Sequence, residues 1–89
     1  MEFEWNKSKA SQNYSKHGIS FSEAATVFDD PLASTFPDPD HSVNEHRYVT
    51  IGQSNMGKIL MVSHTDRLNR TRIISARKAT RHEKAAYEE

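Results

Sequence analysis

One histidine and a series of arginines fall inside two stretches that otherwise read as β-strands. Residues 59–65 (ILMVSHT) and 71–77 (TRIISAR) are rich in aliphatic and β-branched side chains, and residues 66–70 between them carry turn chemistry. A strand pair that only built a core would need the aliphatics alone. This one also holds His64, the hydroxyls of Ser63, Thr65 and Ser75, and Arg72 and Arg77, with Arg81 shortly after. An imidazole moves a proton near neutral pH, and an arginine fork binds two phosphate oxygens and stabilises charge that develops on phosphorus. In RNA the neighbouring 2′-hydroxyl is a built-in nucleophile. His64, Arg72 and Arg77 are therefore the candidate catalytic residues for phosphodiester cleavage without a metal or cofactor.

Register decides which arginine meets the imidazole. With Leu68-Asn69 as a two-residue turn, Arg67 pairs with Arg70 and His64 lies opposite Ile73, on a face shared with Ser75 and Arg77. A turn longer by one residue exchanges the faces and sets His64 beside Arg72. The sequence leaves both open, and in either case an arginine is expected within reach of His64. The competing reading makes His64 a hydrogen-bonded core residue. Two other functions fit the same basic strands: a nucleic-acid-binding module that grips phosphates without cutting, and an interaction surface for an acidic protein. The hairpin has no aromatic residue, which argues against base stacking.

The charges are unevenly distributed. The net charge is zero, yet residues 1–46 hold three Lys/Arg and eight Asp/Glu, whereas residues 47–81 hold eight Lys/Arg and the single acid Asp66. Such asymmetry suggests an anionic partner, or two halves that neutralise each other in the fold. With 89 residues and no cysteine, the chain is expected to be one domain, 1–89, without disulfides, Cys-based zinc sites or a thiol nucleophile. No apolar run approaches the roughly 18 residues of a membrane span and no signal peptide is evident, so a cytoplasmic location is expected. His41 and His46 with Asp38 and Asp40 match no established ligand spacing, and no metal is expected there.

The elements that must position these residues can be read in order. Phe3-Glu4-Trp5 alternates like a short strand. Asn6 is a helix N-cap for residues 7–17, with Lys16 and His17 in the last turn and Gly18 as the left-handed C-cap. Trp5, Ala10, Tyr14 and His17 mark its inner side. Ser20 with Glu23 reads as a capping box, and Phe21, Ala24, Ala25 and Phe28 form the inner face of a second helix that ends before Pro31. Residues 32–36 and 45–54 read as strands, and Thr80 with Glu83 caps a terminal helix. The fold class is α+β: two N-terminal helices, a small antiparallel sheet and a short C-terminal helix.

Taken together, Lys16-His17-Gly18, the Phe21 to Phe28 helix with Glu23 and Asp30-Pro31 beyond, His64-Thr65, and the run from Arg72 to Ala79 resemble the BrnT family of bacterial toxins across practically the whole chain. The resemblance implies a RelE-like fold and ribonuclease activity that inhibits translation. It also implies a BrnA-like ribbon-helix-helix antitoxin, with two toxins flanking an antitoxin dimer and operator DNA bound only through the antitoxin. Under this resemblance Lys16, His17, Lys78 and Arg81 join the site as substrate-binding residues. Whether Lys16, His17 and Glu23 act chemically or cap helices is left open by the sequence.

Overall fold

The computed structural model describes residues 1–42 and 44–88. Strand β1 (Glu2–Glu4) leads into α1 (Lys7–His17) and α2 (Phe21–Thr26), followed by β2 (Ser34–Pro37), β3 (Arg47–Gln53), β4 (Ile59–Arg67), β5 (Arg70–Lys78) and α3 (Arg81–Tyr87). The sheet order is β1-β5-β4-β3-β2. Strands β2 to β5 are antiparallel neighbours, as expected, but β1 adds to β5 in parallel. The sheet is therefore mixed rather than purely antiparallel. The reason is topological: β1 and β2 lie on opposite edges of the sheet and are joined through the helices, so β1 meets β5 without a hairpin turn that would force the two strands antiparallel.

Local chemistry sets the helix ends. The Asn6 side chain accepts from the Lys9 N–H, and Gly18, at φ 71°, closes α1 through its N–H to the Tyr14 carbonyl. Ser20 accepts the Glu23 N–H as an N-cap should, but the Glu23 carboxylate does not complete the expected capping box. It is buried and accepts a 2.7 Å hydrogen bond from Ser54 Oγ, with Lys58 Nζ 3.8 Å away. Ser54 Oγ in turn accepts the N–H groups of Met56 and Lys58, so Glu23 fixes the β3–β4 turn to α2. The Thr80–Glu83 capping box of α3 forms as read.

The core lies between the sheet and the α1–α2 layer. Ile19, Phe21, Ala24, Val27, Leu60, Val62, Ile73 and Ala76 are buried together, with Phe3, Trp5, Ala10, Ala25 and Phe28 packed against them. Val27 enters this core because α2 tightens into a 3-10 turn at Val27–Asp29, so Phe21, Ala24 and Val27 recur every three residues. Tyr14, expected inside, is 60% exposed, and Asn13 takes the inner position. Its amide donates to the Ile19 and Ala76 carbonyls and accepts the Ala76 N–H, at 2.9–3.0 Å. Strand β1 covers β5 only at Arg70–Arg72, so the Asn13 side chain serves as a one-residue strand partner further along that edge. α3 lies across the opposite face of the sheet.

Candidate functional site

The hairpin turn is the two-residue one: Arg67 pairs with Arg70, and His64 faces Ile73. Leu68 takes the left-handed conformation this turn needs, at φ 57°. The register then shifts between Ser63 and His64, because Ser63 pairs with Ser75 and leaves Ile74 as an extra residue on β5. The bulge exchanges the faces of the rest of β5. Ala76 joins the core opposite Val62, and Arg77 moves to the other face, opposite Met61. Arg72 pairs with Thr65 and is also on that outer face.

Both arginines are thus across the sheet from His64, and the expected His64–arginine constellation does not form. A plain alternation would have placed Arg77 under the helices, where an unpaired guanidinium is costly. The bulge puts Ala76 there instead.

His64 is 5% exposed. Its Nε2 lies 2.7 Å from Thr50 Oγ1, which lies 2.7 Å from Thr35 Oγ1. The ring stacks on Tyr48 at 5.9 Å and meets the edge of Phe28 at 4.9 Å. Nδ1 is buried without a hydrogen-bond partner among the described residues. A bare acceptor costs less than an orphaned N–H, so the proton belongs on Nε2, donating to Thr50, which donates to Thr35. Burial pushes the His64 pKa down, opposed only by the charge of Asp66. The imidazole is a neutral member of a buried polar chain.

On the outer face the arginines are held by acids. Arg72 Nη1 donates to Glu4 at 2.7 Å, and Arg70 lies 3.9 Å from both Glu2 and Glu4. Arg77 makes a bidentate pair with Glu83 of α3 at 2.8 and 3.0 Å, which holds the Glu83 carboxyl down at about 2. The two oppositely charged halves of the chain therefore do neutralise each other at Arg70, Arg72 and Lys58. α3 is anchored a second time by the Tyr87 hydroxyl donating to Asp30, which pushes the Tyr87 pKa up to about 12. Between α3 and the sheet runs an apolar groove of about 590 Å³, lined by Leu32, Phe36, Ile51, Met61, Ala86 and Tyr87 among others.

The substrate-binding candidates separate. Lys16 and His17 share a groove of about 280 Å³ with Lys9, Gln12, Asn13, Ile74 and Ser75, where α1 meets the edge of β5. Lys78 and Arg81 are exposed and lie outside that groove. Among the described residues no three His, Cys, Asp or Glu side chains converge, and His41 bonds Asp38 at 2.9 Å as an isolated pair. Sequence reasoning missed Asn13 and the Arg77–Glu83 pair. The signal for the first was an amide one turn after Ala10 on the inner side of α1. For the second it was an acid six residues beyond the arginine, just past the end of the strand.

Comparison with known proteins fits this architecture. Residues 5–83 match the family model described as the ribonuclease toxin, BrnT, of type II toxin-antitoxin systems. The crystal structure of the Brucella abortus ribonuclease toxin BrnT is similar at 25% identity, with a TM-score of 0.72 over 91% of this chain and 99% of that one. No curated protein matches the sequence. With the family model spanning nearly all of the chain and the fold agreeing, this protein belongs to the BrnT family of ribonuclease toxins of type II toxin–antitoxin systems.

Proposed function

We propose that this chain is a metal-independent endoribonuclease of RelE-like fold that cleaves cytoplasmic RNA and so inhibits translation. Family membership over residues 5–83 is the observation that carries this reading. The chemistry available here agrees with it. The chain has no cysteine nucleophile, and it displays arginines and lysines beside hydroxyl-bearing strands, which suits attack by the RNA's own 2′-hydroxyl to give a 2′,3′-cyclic phosphate and a 5′-hydroxyl. Arg77, with Arg72 further along the outer face of β5, holds substrate phosphate once the nucleic acid displaces the Glu83 and Glu4 carboxylates. His64 supports the sheet from beneath and does not touch that phosphate. Lys78 and Arg81 extend the cationic track at the start of α3.

The test is incubation of purified protein with RNA in EDTA, beside an Arg77→Ala variant. Cleavage by the parent, reduced roughly 10²-fold by loss of a guanidinium that stabilises the transition state, supports the reading. An inert parent removes it.

The partner of a toxin of this type is an antitoxin. We assign that role to a BrnA-like ribbon-helix-helix protein, two copies binding two toxins, with operator DNA contacted only by the antitoxin. Binding raises the toxin's melting temperature by mass action. A toxin of unchanged size and melting temperature in its presence contradicts the assignment.

A second reading, a phosphate-gripping or antitoxin-binding module without catalysis, is favoured by one observation: both outer arginines are already neutralised by carboxylates. Under that reading RNA is bound and recovered intact.

A further inference from the structure

We propose that His17 is the proton-transferring residue of the cleavage reaction, in a cationic groove that α1 builds with the edge of β5. The proposal rests on the ribonuclease reading and gives it a site.

The groove is lined by Lys9, Gln12, Asn13, Lys16 and His17 from α1 and by the bulge residues Ile74 and Ser75. Positions 9, 12, 13 and 16 fall at i, i+3, i+4 and i+7, on one face of the helix. No acid lines the groove, and Lys9, Lys16 and His17 make no ion pair among the described residues. This sets the groove apart from the outer face, where Arg72 and Arg77 are bound to carboxylates. Helix capping does not account for it. Basic side chains at positions 16 and 17 suit the negative end of the helix dipole, but Lys9 sits in the first turn, where the dipole disfavours a cation and no acid compensates.

The groove is also rigid. Two hydrogen bonds of the buried Asn13 amide tie α1 to Ala76 of β5 and a third ties it to the Ile19 carbonyl, and Lys16 and His17 follow within the next turn. Such fixing of reactive groups lowers the cost of orienting them. His17 is half-buried, in contrast to the nearly enclosed His64. Ser75 is two residues from Arg77 on the same strand, so the groove adjoins the outer arginine track.

In the reaction the 2′-hydroxyl gives its proton to a ring nitrogen of His17. The 2′ oxygen bonds to phosphorus as the bond from phosphorus to the 5′ oxygen breaks, and the departing 5′ oxygen takes a proton from solvent. Lys9 and Lys16 bear on the phosphate oxygens.

The experiment compares parent, His17→Ala and His17→Gln on an RNA oligonucleotide in EDTA, with and without added free imidazole, alongside melting curves. His17→Ala is expected to melt like the parent, to bind RNA nearly as well, and to cleave roughly 10²–10⁴-fold more slowly. Free imidazole should restore part of the rate in His17→Ala and none in His17→Gln, which a merely structural role would not produce. A His17→Ala variant that cleaves within about threefold of an active parent, where loss of a proton-transfer group should cost far more, overturns the proposal and leaves the ribonuclease reading standing. A parent that cuts no RNA removes both. Should His17→Ala fold poorly, Lys9→Ala/Lys16→Ala replaces exposed side chains only. It is expected to weaken RNA binding and lower the salt slope by one to two units, and an unchanged slope counts against the groove.

Discussion

At the scale of single residues, His64 shows how position decides what an imidazole does. Beside an arginine on an open strand it would be poised for proton transfer. Under Phe28, stacked on Tyr48 and bonded to Thr50, it is a neutral strut. The sign of its pH effect follows from its lowered pKa. Between that value and the ordinary value near 6.5, the unfolded chain binds a proton that the folded chain does not, so stability rises with pH across this window. The contribution is complete above the ordinary value and is lost as pH falls through it toward the folded-state value. The fall in melting temperature from about pH 7.5 to about pH 5.5 should therefore be smaller in His64→Gln than in the parent, because glutamine removes the titration. Equal slopes would mean that His64 titrates normally in the folded state. His64→Ala should lose about 2–4 kcal/mol of stability, as other truncations of large buried side chains do, and lose activity only in proportion to unfolding.

At the scale of elements, most of the chain was legible. Asn6 and Gly18 bracket α1, Thr80 and Glu83 start α3, and Leu68-Asn69 makes the hairpin. These are local signals, carried by the side chain that makes the hydrogen bond or turns the backbone. What sequence could not convey was set by contacts distant in the chain. The bulge at Ile74 answers to which β5 residue must face Val62, and Glu23 leaves its own helix end for Ser54, 31 positions away. The parallel placement of β1 depends on an edge of β5 that only the folded sheet presents.

Two variants probe this level. Gly52 on β3 sits against the turn after α2, where an added Cβ would lie 2.8 Å from Val27 Cγ1 and 2.9 Å from Ala33 Cβ. Gly52→Ala should cost about 1–3 kcal/mol, typical of overpacking, read as a lowered denaturation midpoint with unchanged m-value. An unaffected midpoint would show that this turn yields easily. Glu83→Gln keeps a side chain able to complete the capping box but removes the charge that neutralises Arg77. RNA affinity should rise, and its dependence on log salt should steepen by about 0.7 for one additional phosphate contact on a single strand. Unchanged binding would place Arg77 outside the RNA track.

At the scale of the whole molecule, the sheet separates two environments. Beneath it the helices bury the apolar core and the His64 chain, while above it α3 and Glu4 restrain the arginines. At the β5 edge, where β1 ends and Asn13 takes over, the cationic groove opens. The candidate site was only partly legible for this reason. The residue types were visible, but which of them share a surface depends on one bulge and one helix rotation. On the proposed mechanism this chain cuts RNA by using the RNA's own 2′-hydroxyl. The most direct test is a single oligonucleotide, cleaved in EDTA and mapped, then resynthesised with one 2′-deoxy sugar at the mapped position. A 2′,3′-cyclic phosphate is expected at the cut in the first molecule, and binding without cleavage at that position in the second. Cleavage that persists at the deoxy position would contradict the mechanism.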